Sequence, residues 1–114
     1  MQGFSLKRRS SFIAAAMTMF SRIFPFSIHI VRGHSMQPFL DEGNRVVVFR
    51  WAYLFSKPKI GDVVVFRGSG KGYIKRIVAA KGGLFSVKGD NEKDSLKMSP
   101  IGKNSIIGRV IFSY

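Results

Sequence analysis

The amino-acid sequence predicts an all-β, barrel-like domain over residues 26–114, preceded by a basic segment and short apolar helix over residues 1–25. Three features predict it. Short β-branched runs recur at close spacing, glycine-containing turns separate them, and no long soluble helix interrupts them. With 114 residues and no internal repeat, the chain has material for one core. A hydrophobic fraction of 46% with 11 phenylalanines argues against a disordered chain. The absence of cysteine excludes a disulfide framework, a thiolate zinc site and a cysteine nucleophile.

The N-terminal segment places Lys7-Arg8-Arg9 before the apolar run Phe12–Phe20. Arg22 and Pro25 then interrupt a span that would need roughly 20 apolar residues to cross a bilayer. The segment therefore reads as a short or tilted membrane anchor or an interfacial helix, with a helix packed on the domain as the alternative. Beyond Pro25, Phe26, Ile28 and Ile30 alternate with Ser27, His29 and Val31, the period of a half-buried strand. Asn44–Phe49 and Asp62–Phe66 are β-branched runs. Gly68–Gly72 reads as a hairpin loop leading into Tyr73–Val78. Lys81-Gly82-Gly83 is a second turn, before Leu84–Val87. A polar loop from about Gly89 to Asn104 precedes a last strand, Ile106–Phe112.

The formal net charge of +13 favours an anionic partner, a phospholipid surface or a nucleic acid, against the plainer reading of a solvated basic surface. Apart from residues 7–9 the cations are dispersed.

Two places could carry chemistry. In Arg32-Gly33-His34-Ser35-Met36-Gln37-Pro38, Gly33 permits a turn geometry closed to other residues and Pro38 stiffens the exit. Ser35 could project its hydroxyl there beside backbone N–H donors, although serines in such turns mostly bond their own backbone. On a strand, Lys75 would share a face with Tyr73, Ile77 and Ala79. Desolvation among such neighbours favours the neutral amine, which is a usable base. The competing reading is a lysine that snorkels to solvent.

Taken together, these stretches resemble the type I signal peptidases and their mitochondrial inner-membrane relatives. Val31–Pro38 resembles that family's nucleophile box, and Gly61–Phe66 the strand that follows it. Tyr73–Val78 is similar to the box carrying a lysine base. Gly89-Asp90-Asn91, with Ser95 four residues on, resembles the third box. The resemblance implies a Ser35–Lys75 dyad, with Ser95 orienting the lysine and the Ser35 N–H as an oxyanion donor. Gly33 stands where some members place a serine that completes the oxyanion hole. Val31, Met36, Leu40, Tyr73 and Ile74 match residues that shape the shallow substrate pocket. The implied substrate is an extended precursor segment with small residues at the first and third positions before the cut. No cofactor is implied, and no histidine–carboxylate cluster suggests a metal: His29 reads most simply as an exposed strand residue and His34 as a turn residue beside the nucleophile. Lysine rather than histidine at the base position points to a bacterial or organelle branch. The implied location is the cytoplasmic membrane, with anionic lipids as a partner and the catalytic domain facing outward.

Departures from the family pattern are specific. Phe39 replaces a threonine, Asn44 an aspartate, and Lys97-Met98-Ser99 stands where Asp-Ser-Arg is common. The second β domain inserted in many members is absent, since Val78 reaches Gly89 in one turn. Three rivals remain: a self-cleaving SOS-repressor type of protease, a catalytically impaired homologue serving as a partner subunit, and a basic β module for nucleic acid. The N-terminal region is too short and apolar for a helix-turn-helix, and the nucleic-acid module gives no reason for four ordered motifs.

Overall fold

The structure, a computed structural model, describes residues 24–94 and 97–114. The expected N-terminal helix and Ser95 lie outside the described residues. Seven strands form one antiparallel sheet: β1 (Phe26–Ile30), β2 (Arg45–Phe49), β3 (Val63–Gly68), β4 (Lys71–Lys81), β5 (Leu84–Lys88), β6 (Ile101–Gly102) and β7 (Ile106–Ser113). Their spatial order is β1-β2-β7-β3-β4-β5-β6. Among the described residues no helix is long and apolar enough to cross a membrane.

The all-β expectation holds, but the sheet is not a closed barrel. Its edges are β1 and β6, and no pairing joins them. Closure needs a continuous ladder of consistent stagger, and β6 is two residues long, opposing only Leu84 and Phe85. The predicted polar loop before the last strand also holds more order than its polarity suggested. It contains β6 and two single 3-10 turns, Glu92–Asp94 and Lys103–Ser105.

The two hairpins follow from local chemistry. Ser69-Gly70 joins β3 to β4 and Gly82-Gly83 joins β4 to β5, with all four residues at positive φ. Two-residue turns of that hand match the right-handed twist of the paired strands. β4 is long because its first half pairs with β3 and its second half with β5.

The sheet buries apolar side chains on both faces. Val31, Met36, Leu40, Val46, Val48, Val63 and Val65 form one cluster, and Tyr53, Val64, Phe66, Ile77, Phe85 and Val87 the other. Alternate residues of β3 thus enter opposite clusters, which explains why Val63–Phe66 is apolar without interruption. Register shifts in β2, β3 and β4 bend the ladder between the two clusters.

β1 corrects one reading. Its period of two is real, but Phe26, Ile28 and Ile30 are exposed while Ser27 and His29 are half-buried. Register explains this: Ser27 and His29 stand opposite Val48 and Val46, which point into the first cluster. His29 is accordingly not an exposed strand residue.

Candidate active site

The candidate nucleophile turn leaves β1 at Val31 and returns at Asn44. Its base is closed by Val31 N–H donating to Asn44 O at 2.8 Å and Gly43 N–H donating to Val31 O at 2.9 Å. Met36 and Leu40 sink into the first cluster, and the Leu40 N–H donates to Met36 O at 2.9 Å. A turn anchored by two buried apolar side chains holds the residues between them in place. Gly33 has φ +80°, a backbone state that side chains disfavour.

Lys75 comes from the middle of β4, opposite Val64 and between Tyr73 and Ile77. The neighbours on its face, Tyr73 and Ile77, both belong to the second cluster. Its side chain is 5% exposed, and its Nζ lies 2.7 Å from Ser35 Oγ. In such surroundings an ammonium is penalised relative to a free amine.

Both residues border a cleft of about 610 Å³. Of the other sequence-predicted site residues, Val31, Gly33, Met36, Tyr73 and Ile74 also line it. Leu40 does not: it is fully buried in the core behind Met36. Ser95 is outside the described residues. His29, Ile30, Arg32, His34, Val65 and Gly72 complete the wall and were not singled out from sequence. A signal for His29 existed, since it is two residues from Val31 on the same strand face.

His29 Nε2 is 2.9 Å from Ser27 Oγ. Burial, and then the charges of Arg50 and Arg67, lower its pKa and keep the imidazole neutral. His34 lies at the surface and pairs with Glu42 at 3.2 Å.

A second layer fixes the turn from behind. Arg76, on the opposite face of β4 from Lys75, grips both Asp90 oxygens at 2.9 and 2.8 Å. It also donates to Gly61 O at 2.8 Å and stacks over the Phe39 ring at 4.9 Å. The hydrogen bond with Asp90 raises the Arg76 pKa against the opposing effect of burial. Asn91, the next residue, donates its backbone N–H to Ser35 O at 2.8 Å and its side-chain N–H to His34 O at 2.9 Å. Within Lys97-Met98-Ser99, Met98 packs against the second cluster while Lys97 and Ser99 are exposed.

An all-β domain with a serine hydroxyl on a buried lysine amine, at the wall of an open cleft, defines a candidate serine hydrolase with an amine in place of the usual imidazole. The family model for signal peptidase, peptidase S26, matches residues 6–91, and the chain belongs to that family. Signal peptidase I of Bacillus caldolyticus is 32% identical over 80 residues, covering 69% of this chain and 44% of the relative. The chloroplastic thylakoidal processing peptidase 1 of Arabidopsis thaliana is 36% identical over 67 residues, 47% of this chain and 20% of the relative. A Staphylococcus aureus protein named inactive signal peptidase IA is 29% identical over 73 residues, 64% of this chain and 42% of the relative. The chain spans less than half the length of these curated relatives.

Proposed function

We propose that this chain is a membrane-associated serine endopeptidase that removes signal peptides, or processes one dedicated precursor, after small-x-small sites. The observation that carries this reading is the 2.7 Å approach of Ser35 Oγ to the buried Lys75 Nζ on the wall of the cleft. Neutral Lys75 takes the hydroxyl proton as Ser35 Oγ attacks the scissile carbonyl. The amine then returns that proton to the leaving nitrogen, and a water activated by Lys75 hydrolyses the ester. Ser95 is proposed to orient Lys75. With no side chain on Gly33, the Ser35 N–H is the proposed oxyanion donor at this turn. Val31, Met36, Tyr73 and Ile74 offer the substrate a shallow, largely apolar wall that fits small side chains.

The division of labour we propose is an anchor over residues 1–25 and a catalytic unit over residues 26–114. Lys7, Arg8 and Arg9 would keep the N-terminus in the cytoplasm, so that the catalytic unit faces the outer side of a cytoplasmic-type membrane. Anionic lipid is a proposed partner, favoured by the net charge of +13 and by the exposed Phe24, Phe26, Ile28 and Phe55.

A second reading, an impaired homologue acting beside another protease, is favoured by Lys97-Met98-Ser99 and by the relative named inactive. The close Ser35–Lys75 pair weighs against it. One assay separates the two: cleavage of a precursor bearing an Ala-x-Ala site by the full chain in detergent, beside Ser35→Ala and Lys75→Ala. We expect cleavage after the second alanine, and a loss of roughly a thousandfold or more in each variant. Wild type as inert as the variants on several precursors would favour the impaired homologue.

A further inference from the structure

We infer that Asn91 is a positioning residue, which aims the Ser35 N–H by holding the two carbonyls that flank it. Ser35 lies between those carbonyls: His34 O accepts from Asn91 Nδ2 at 2.9 Å, closer than its second donor, the Gln37 N–H at 3.2 Å, and Ser35 O accepts from the Asn91 backbone N–H at 2.8 Å. The His34–Ser35 peptide is planar and trans, so its C=O and N–H point in opposite directions. A carbonyl drawn towards Asn91 therefore turns the Ser35 N–H away from it. Ser35 lines the cleft and Asn91 does not, so an N–H turned away from Asn91 would face the reaction side. Among the described residues the Ser35 N–H donates to no protein group, which leaves it available to a developing oxyanion.

The orientation of the Asn91 amide is itself determined. Its Oδ1 accepts from the Lys93 N–H at 3.2 Å, which leaves Nδ2 as the group turned to His34 O. Its backbone position is set by the neighbouring Asp90, held in the two-point grip of Arg76. Arg76 follows Lys75 on β4, so one strand carries the amine on one face and the clamp for the nucleophile turn on the other. This arrangement gives the turn a support independent of Lys97-Met98-Ser99.

The inference rests on reading Ser35 as the nucleophile, and its test separates the two. In Asn91→Asp the Lys93 acceptor is kept and the donor to His34 O is lost. Asn91→Ala removes both. On an Ala-x-Ala precursor we expect kcat about 10- to 100-fold lower in both variants, part or all of the usual cost of one oxyanion donor. KM should stay within about threefold, and in Asn91→Ala, which adds no charge, the acid limb of the pH–rate profile should stay in place, because Lys75 is untouched. A kcat within about twofold of wild type, or a displaced acid limb in Asn91→Ala, would overturn the inference.

A second readout needs no turnover. In the full chain in detergent micelles, labelled at His34 and Ser35, we expect the His34 carbonyl and Ser35 amide resonances to move in both variants. If they do not move, Asn91 does not position the turn, whatever the activity. If wild type is inert but those resonances move, the positioning survives and the catalytic reading fails.

Discussion

At the scale of single residues, titratable side chains are tied to the frame by short polar contacts. The Tyr53 hydroxyl donates to Asp62 Oδ2 at 2.6 Å from a side chain that is 7% exposed. Burial, and then the hydrogen bond and charge of Asp62, raise the Tyr53 pKa well beyond the usual value near 10. The unfolded chain therefore releases this proton at about pH 10 while the folded chain keeps it. The stability so gained is complete below that pH and is lost as pH rises towards the folded-state value. We expect the wild-type melting temperature to fall with rising pH above about 10 more steeply than that of Tyr53→Phe. At neutral pH the variant should be less stable by about 1 kcal/mol. Thermal melts across that range check both statements, and parallel slopes would remove the assigned role of Tyr53. Asp62 keeps a second donor, the Lys59 N–H at 3.1 Å, which limits the neutral-pH cost.

At the scale of elements, the sheet depends on close approach where β7 crosses β2 and β3. A Cβ on Gly108 would lie 2.5 Å from Phe49 O, 2.7 Å from Val48 Cγ1 and 2.9 Å from Arg50 Cα. Two of these neighbours are backbone, which cannot swing aside as a flexible side-chain end can. Gly108→Ala should therefore destabilise the domain by about 1–3 kcal/mol, the usual range for overpacking, as read by denaturant unfolding. A variant as stable as wild type would show that the strands separate more readily than the packing implies. The five strands legible as apolar runs were those whose burial is decided by their own side chains, β2, β3, β4, β5 and β7. β6 was not legible, because two residues, Ile101 and Gly102, carry no period and become a strand only against Leu84 and Phe85. The faces of β1 were not legible either. Alternation shows that a strand has two faces, and only its pairing with Val46 and Val48 selects the one that is covered.

At the scale of the whole molecule, charge and exposed apolar surface act together. Phe26 and Ile28 on β1 lie on the outer face with Phe112 of β7, reached through the Ile28–Val47 and Val47–Phe112 pairings. Phe55 is 98% exposed, between Arg50 on one side and Lys57 and Lys59 on the other. A formal charge of +13 adds long-range attraction to an anionic bilayer, and salt screens that part only. We expect binding to vesicles containing phosphatidylserine to exceed binding to neutral phosphatidylcholine vesicles. The difference should shrink as salt rises from about 0.05 to 0.5 M, while the apolar contribution persists. Equal binding to both vesicle types in a co-sedimentation assay would remove the electrostatic contribution.

The sequence by itself determined the all-β class and both hairpin turns, and it singled out the candidate serine and lysine. The strands and hairpins rest on short-range physics: alternation of side chains, β-branching, and turn residues that accept positive φ. The serine and lysine were legible through a family resemblance spread over most of the chain. Only the tertiary structure gave the 2.7 Å distance between Ser35 and Lys75, 40 residues apart, and brought Asn91 to His34 across 57. It alone decided that Leu40 belongs to the core, that His29 belongs to the cleft, and that the sheet stays open. Each of these depends on register between distant strands, because a shift of one residue would turn every side chain of a strand to the other face.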